Sequence, residues 1–242
     1  MLRFSACLSF ITAGLVATAF GAEKVDAAIG VAKPEARFME HHAAFLARAQ
    51  AGPVGLVFIG DSITAGWKSA PAVWDAYFGP HQPANFGISA DQTQNVLWRI
   101  ENGELDGISP RVVVLMIGTN NTGSHTAAEI TVALERIISV TRQKLPETNI
   151  LLLGIFPRGP RIMRDGLSDG WERRMNVITE VNTALPGLAD GKRVHFLDIG
   201  PRFLDETGSI PNALMPDQLH LSPAGYQVWA EAMQPTLDAL LR

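Results

Sequence analysis

The sequence predicts an α/β protein in which a parallel sheet is covered by helices on both faces. Short, almost entirely apolar runs alternate along the chain with segments of helical periodicity, which is typical of strand–helix–strand units. The apolar runs show little polar alternation, as expected for strands that are buried on both faces. No repeat or linker-like stretch interrupts the 242 residues, and a chain of this length can form one domain.

Five apolar runs are predicted as strands, and each leads into polar or glycine-rich residues. They span residues 55–59, 84–87, 111–117, 149–155 and 193–199. Helices are predicted over residues 34–50, 91–101, 127–145, 169–185 and 222–241. Asp91 and Ser222 are suited to begin two of these helices, because their side chains can accept a hydrogen bond from the first helical turn. Right-handed crossovers would then place helices on both faces of a doubly wound sheet.

The first 22 residues have the layout of a secretory signal peptide. Residues 1–3 form a short basic segment, and residues 4–20 are almost entirely apolar. Ala19 and Gly21 flank Phe20 in the small-x-small pattern of a cleavage site. An uncleaved membrane anchor is the alternative, although the apolar run is at the short end for a bilayer span. We expect residues 23–242 to form a single secreted or periplasmic domain with no stable membrane association.

Composition limits the partners and the chemistry. The formal net charge of −4 gives no electrostatic reason to expect a nucleic acid as partner. Cys7, the only cysteine, lies in the predicted signal peptide, so the mature chain would have no disulfide and no thiol nucleophile. The histidines form no convincing metal-ligand spacing with carboxylates, and we therefore expect no metal site.

Polar residues that suit acyl transfer follow the predicted strands. The carboxyl ends of parallel strands meet at one edge of a sheet, where reactive groups collect. Ser62 follows the first strand, Gly87 ends the second, and Asn120 follows the third. Asp217 and His220 precede the last helix. Acyl transfer needs a nucleophile, a base aligned by a carboxylate, and donors for the oxyanion, and these residues can supply all three.

The predicted roles follow from the functional groups. Ser62 is the predicted nucleophile, His220 its base, and Asp217 the carboxylate that aligns the imidazole. The predicted oxyanion donors are the backbone N–H groups of Ser62 and Gly87 and the side-chain amide of Asn120. A glycine at position 87 would let the backbone approach the substrate without a Cβ atom in between.

Several neighbouring residues have both a functional and a structural interpretation. Ser62 on its own could simply cap a helix. Asp61 is predicted to be structural and to bind backbone near the serine. Trp67, Asn121 and Arg158 are predicted to contact the substrate. Packing of Trp67, a turn at Asn121 and solvent exposure of Arg158 are the alternatives.

These residues and their order resemble the SGNH (GDSL) hydrolases. Four short blocks match in order: Gly60-Asp61-Ser62, Gly87 within NFGIS, Gly118-Thr119-Asn120, and Asp217-Gln218-Leu219-His220. The stretches NFGISADQTQNVLWRIENGEL, VVVLMIGTNN and LLGIFPRG are most similar to bacterial relatives of the platelet-activating-factor acetylhydrolase catalytic subunits. One position departs from the family pattern, because Ile63 stands where the motif has leucine.

The resemblance implies a flavodoxin-like, three-layer α/β/α fold with a five-stranded sheet. It also implies a serine esterase that needs no cofactor and hydrolyses short acyl esters, often acetyl esters, through an acyl-serine. A small acylated molecule or an acetylated carbohydrate is the expected substrate. A lysophospholipase or another lipid acyl esterase is the alternative within the enzymes, and a non-catalytic carbohydrate-binding protein is the alternative of another class. The sequence indicates no oligomeric state.

Overall fold

The five predicted apolar runs form the five strands of one parallel sheet. The structure is a computed structural model that describes residues 25–163 and 165–242, so the predicted signal peptide over residues 1–22 lies outside the described residues. The strands are β1 (Leu56–Gly60), β2 (Pro83–Gly87), β3 (Val112–Met116), β4 (Asn149–Leu153) and β5 (Val194–Leu197). Their order in the sheet is β2-β1-β3-β4-β5. The order in which the strands are added reverses at β1, because β2 lies on one side of it and β3 on the other. Doubly wound folds bind their ligands at the carboxyl ends of the strands beside this reversal.

Helices cover both faces of this sheet, as predicted. The described α-helices are α1 (Ala36–Gln50), α2 (Ser62–Ala65), α3 (Pro71–Phe78), α4 (Thr93–Arg99), α5 (Ala127–Lys144), α6 (Trp171–Ala184) and α7 (Pro223–Leu241). Side chains of α1, α4, α5 and α6 pack on one face, and those of α3 and α7 pack on the other. In the described residues, no helix combines the length and apolarity needed to cross a membrane. The three-layer α/β/α fold is confirmed.

Each face of the sheet supports its own apolar core. Val57 and Ile59 of β1 belong to the core beneath α1, α4, α5 and α6, whereas Leu56 and Phe58 belong to the core beneath α3 and α7. All four side chains are buried. Successive residues of a strand point to opposite faces, so a strand between two cores must be apolar throughout. This explains why the strand sequences show so little alternation.

Helix boundaries differ locally from the prediction. Helix α4 begins after Gln92, whose backbone N–H donates to Asn95 Oδ1 at 2.9 Å, and not after Asp91. Asp91 is buried and takes part in ion pairs instead of capping the helix. Ser222 does begin α7, because its hydroxyl accepts a hydrogen bond from the Gly225 N–H at 3.2 Å. Helix α3 is not among the predicted elements, since eight residues are too few for helical periodicity to show.

Candidate active site

Ser62 lies where β1 ends and α2 begins. It is the first residue of the helix, a position at which the backbone N–H has no carbonyl partner within the helix. The carboxylate of Asp61 accepts a hydrogen bond from the Ile63 N–H at 2.9 Å and thereby caps the helix. Burial raises the pKa of Asp61 to about 7. Asp61 is therefore a structural residue that caps the helix beginning with Ser62.

The chain brings His220 and Asp217 to this serine across 158 residues of sequence. Ser62 Oγ lies 2.9 Å from His220 Nε2, and His220 Nδ1 lies 2.8 Å from Asp217 Oδ2. A carboxylate only accepts hydrogen bonds, so Nδ1 carries the imidazole proton and Nε2 is left to accept from the hydroxyl. All three residues are half-buried. The arrangement can transfer a proton from the serine to the imidazole.

The turn that carries Asp217 is stabilised by hydrogen bonds from its own backbone N–H groups to the carboxylate. Asp217 Oδ1 accepts hydrogen bonds from the N–H groups of His220 at 2.7 Å and Leu219 at 3.2 Å. Burial opposes ionisation of Asp217, but hydrogen bonds from the His220 backbone and imidazole outweigh it, together with the charges of His220 and Arg161. The pKa of Asp217 consequently lies below its usual range. Asp217 thus stays ionised while it aligns the imidazole.

Asn120 faces the same edge of the sheet from the end of β3. Its side-chain amide donates to the carbonyl oxygen of Asp91 at 2.8 Å, and its own backbone carbonyl accepts from Gln92 Nε2 at 3.1 Å. A side-chain amide has two N–H donors, so a second donor is left for a ligand. The loop after β2 therefore holds the Asn120 amide in place.

The structure corrects the predicted donor role of Gly87. The Gly87 N–H already donates to Asn85 Oδ1 at 2.9 Å. A Cβ atom on Gly87 would lie only 2.3 Å from the Ala65 nitrogen and 2.8 Å from the Thr64 carbonyl carbon. Glycine is needed here because the end of β2 packs directly against the backbone of α2, not because its N–H faces a substrate.

A different N–H of the same loop stands beside Asn120. Ala90 is exposed and has a φ of 60°, in the left-handed region that favours glycine. In the described part of the chain, the Ala90 N–H donates to no acceptor. The next carbonyl along the chain, that of Asp91, holds the Asn120 amide. The sequence offers little signal for Ala90, because alanine rarely adopts this backbone conformation.

The predicted substrate contact of Trp67 is also corrected. Its indole is 1% exposed and lies beneath α2 in the core under α3 and α7. Aromatic rings surround it, with centroid distances of 4.6 Å to Tyr226, 5.0 Å to Trp229 and 5.2 Å to Phe78. Trp67 therefore supports the helix that begins with Ser62 and does not line a substrate pocket.

The side chains of Asn121 and Arg158 also bind other residues of the protein. Asn121 is fully buried, and its amide binds Thr93 through the backbone N–H and the hydroxyl, both at 3.0 Å. Arg158 is 5% exposed and forms an ion pair with Asp169. Neither side chain has the exposure that the predicted substrate contact requires. Arg158 does line a cavity of about 460 Å³ that extends to Gln218, the residue after Asp217.

Arg161 is a charged neighbour of the site that sequence reasoning missed. Its Nη2 atom lies 2.8 Å from Asp217 Oδ2, the same oxygen that binds the imidazole. Only the folded chain brings the segment after β4 to the turn before α7, so no local motif identifies this contact. Among the described residues, no group of three or more His, Cys, Asp or Glu side chains is arranged to hold a metal ion.

Comparisons with known proteins agree on one family. Residues 58–228 match the family described as GDSL-like lipase/acylhydrolase. The chain is 38% identical over 209 residues to human platelet-activating factor acetylhydrolase IB subunit alpha1, covering 86% of this chain and 85% of that protein.

Two solved structures show the same fold at low sequence identity. A GDSL-like lipase from Bacteroides thetaiotaomicron has a TM-score of 0.67 at 17% identity, covering 82% of this chain and 97% of that chain. A carbohydrate acetylesterase family member from Sinorhizobium meliloti has a TM-score of 0.61 at 15% identity, covering 78% and 99%. Similarity at these identities concerns the fold alone.

Proposed function

Because the chain belongs to the GDSL-like lipase/acylhydrolase family, we propose that it is a serine esterase that hydrolyses short acyl esters through an acyl-serine. The observation that carries this proposal is the alignment of Ser62 Oγ, the His220 imidazole and the Asp217 carboxylate, joined by contacts of 2.9 and 2.8 Å. A serine hydroxyl is a weak nucleophile, and a base held at this distance is what activates it.

The proposed reaction has two steps. Ser62 Oγ attacks the ester carbonyl carbon while His220 Nε2 takes the hydroxyl proton, and the leaving alcohol departs with that proton. Water then attacks the acyl-serine with the same base, which releases the carboxylic acid and restores the hydroxyl. The N–H of Ser62, the amide of Asn120 and the N–H of Ala90 are the proposed donors to the oxyanion in both steps.

We propose acetyl as the acyl group and a carbohydrate as its carrier. The name of the human relative at 38% identity supports an acetyl group. The predicted export would bring the protein to extracellular polysaccharides. The cavity of about 460 Å³ near Asp217 is lined in part by the half-buried indole of Trp171, a flat apolar surface on which a sugar ring can stack.

An acetylated lipid is the second candidate substrate, and a specific surface favours it. Between β4 and α6, Ile162 and Ser168 form an isolated antiparallel bridge. Ile162 is 72% exposed and Leu167 is 66% exposed. Arg161, the residue before Ile162, contacts Asp217, so these apolar side chains lie beside the proposed site. Exposed apolar side chains at such a position suit a lipid substrate.

Labelling with a serine-directed fluorophosphonate tests the enzymatic proposal. The wild-type protein is expected to be labelled, and Ser62→Ala is expected to lose both labelling and more than about 10⁴-fold in turnover of an activated acetyl ester. Circular dichroism should show both proteins folded. An unlabelled wild-type protein would instead support the non-catalytic carbohydrate-binding alternative.

Acetate release distinguishes the two candidate substrates. The wild-type protein and Ser62→Ala would be incubated with acetylated xylan, with acetylated monosaccharides and with short-chain acetyl phospholipids. Faster release from the sugars supports the carbohydrate proposal, and faster release from the phospholipids overturns it in favour of the lipid candidate.

Export can be tested on the protein expressed in a Gram-negative host. We propose that residues 1–22 are removed on export. Mass spectrometry of the periplasmic and culture fractions should then find a chain that begins near residue 23 and contains no cysteine. Recovery of the full-length chain only, in the membrane fraction, would favour the uncleaved anchor.

A further inference from the structure

One carboxylate oxygen of the proposed site binds two cationic or potentially cationic groups. Asp217 Oδ2 lies 2.8 Å from His220 Nδ1 and 2.8 Å from Arg161 Nη2. The other oxygen, Oδ1, accepts from the backbone N–H groups of His220 and Leu219. Both oxygens of the carboxylate are therefore engaged, and Arg161 competes with the imidazole for the negative charge of Oδ2.

The charge of Arg161 acts on the imidazole through this shared oxygen. A lone carboxylate beside an imidazole favours the doubly protonated, cationic ring. A guanidinium on the same carboxylate offsets that attraction and adds repulsion between two positive charges. The contact also helps to keep the pKa of Asp217 below its usual range. A general base must be unprotonated to act, so this arrangement widens the pH range in which the base is available.

We propose, on the basis of the esterase function above, that Arg161 is a positioning residue that extends activity to lower pH by sharing Asp217 Oδ2 with His220. Arg161 touches neither the nucleophile nor a reacting atom in this proposal and acts through Asp217. It helps to hold the carboxylate in place and disfavours protonation of the base.

Among the described residues, Arg161 is the one arginine or lysine that forms an ion pair with Asp217. Elsewhere in the described part of the chain, Arg158 pairs with Asp169, and Asp91 pairs with Lys33 and Arg99. Asp61, beside Ser62, has a pKa of about 7 and will itself titrate near neutral pH. The experiment must therefore observe His220 directly as well as the overall activity.

Substitution of Arg161 is compatible with an intact fold. Its side chain is 22% exposed and lies outside both apolar cores. Its backbone carbonyl accepts from the Asp169 N–H at 3.2 Å, a contact that any residue at position 161 retains. Arg193, whose guanidinium pairs with Glu147 at 2.7 Å on the surface, offers a matched control that loses an ion pair elsewhere.

An NMR titration of the His220 ring tests the proposal without reference to any substrate. The ring signals would be followed from pH 4 to 9 in the wild type and in Arg161→Gln, and assigned by their loss in His220→Asn. The midpoint is expected to lie at higher pH in Arg161→Gln than in the wild type, because the variant lacks the positive charge on Asp217. The midpoint in Arg161→Lys, which keeps the charge, should lie closer to that of the wild type. The midpoint in the control Arg193→Gln should equal that of the wild type. An unmoved midpoint in Arg161→Gln would overturn the proposal.

The pH dependence of kcat/KM for an acetyl ester provides the second measurement. The acidic limb of the profile in Arg161→Gln should move to higher pH by the same amount as the NMR midpoint, with KM unchanged on the plateau. A raised KM with an unmoved limb would identify Arg161 as a substrate contact and overturn the positioning role. If the wild type hydrolyses no ester, the proposed function fails, and the NMR titration still decides whether Arg161 tunes His220.

Discussion

At the scale of single residues, the site depends on groups whose properties come from their neighbours. The Ser62 hydroxyl lies 2.9 Å from an imidazole that the Asp217 carboxylate orients. Asp61, adjacent to the serine in sequence, has a capping role and lies buried. Two carboxylates of one site thus differ in function because one is hydrogen-bonded to an imidazole and the other to a helix N-terminus.

Replacing Asn120 tests the proposed oxyanion donor. Asn120→Ala removes an amide that the Asp91 carbonyl holds in place, and loss of one such donor typically lowers kcat by about 10²–10³. Steady-state kinetics with an acetyl ester measures the effect. Asn102→Ala, at an exposed position after α4, should retain the wild-type kcat. A nearly unchanged kcat in Asn120→Ala would remove this residue from the proposed site.

The buried Asp61 predicts a specific pH dependence of stability. Its pKa is raised from 3.8 to about 7 in the folded protein. The folded state therefore keeps a proton that the unfolded state loses between pH 4 and 7, and this group lowers stability as pH rises through that window. Asp61→Asn should lack this decline, which amounts to as much as about 4 kcal/mol at 1.36 kcal/mol for each pKa unit.

Urea denaturation of the wild type and Asp61→Asn between pH 4 and 8 measures this difference. The two free energies of unfolding should diverge with rising pH, with the variant the more stable at pH 8. Asp75→Asn, at an exposed position on α3, should follow the wild-type curve throughout. Parallel curves for the wild type and Asp61→Asn would contradict the raised pKa.

At the scale of elements, the short helix α2 is held from two sides. The end of β2 packs against its backbone at Gly87, where a Cβ atom would approach the Ala65 nitrogen to 2.3 Å. From the other side, the Tyr226 hydroxyl of α7 donates to the Ile63 carbonyl at 2.6 Å. A helix of four residues is not stable by itself, so these tertiary contacts determine where Ser62 points.

Gly87→Ala tests the contact between β2 and α2. The added methyl group meets backbone that cannot move without shifting α2, and overpacking of this kind typically costs about 1–3 kcal/mol. We expect a lower free energy of unfolding and a lower kcat, since Ser62 begins the displaced helix. Gly79→Ala is the matched control, because a Cβ atom on Gly79 would have no neighbouring atom within 4 Å and the φ of −45° suits alanine. Equal stability of the two variants would contradict the proposed packing role.

At the scale of the whole molecule, a buried ionic network joins the layers behind the site. Arg99 of α4 is fully buried and donates to Asp91 Oδ2 at 2.9 Å and to the Phe86 carbonyl at 3.1 Å. It also pairs with Glu104, which in turn contacts His42 of α1 at 2.9 Å. The network therefore links α1, α4 and β2 to the loop whose Asp91 carbonyl holds the amide at the proposed site.

Arg99→Met should be strongly destabilising. It leaves the carboxylates of Asp91 and Glu104 buried with one partner fewer each, and breaking a buried ion pair typically costs about 3–5 kcal/mol. Urea denaturation measures the loss. Arg136→Met removes an exposed pair with Glu101, at 3.5 Å, and should cost less than about 1 kcal/mol. Similar losses in both variants would show that the buried network does not stabilise the fold.

The sequence alone was sufficient for the architecture and for the main residues of the candidate site. Apolar runs without alternation identified all five strands, because a strand between two layers of helices has no polar face. Residues that follow these strands meet at one edge in any parallel sheet. For this reason Ser62, Asn120 and the turn from Asp217 to His220 could be assigned to one site before their distances were known.

The tertiary structure decided which groups at that edge are free and which are already engaged. Gly87 stands at the predicted place, but its N–H is bound to Asn85, whereas the N–H of Ala90 is unengaged within the described residues. Trp67 is buried beneath α2, and Arg161 reaches Asp217 from another part of the chain. Periodicity and motifs report local conformation and strand ends. The partner of each polar group depends on contacts between distant segments, and these form only when the layers pack.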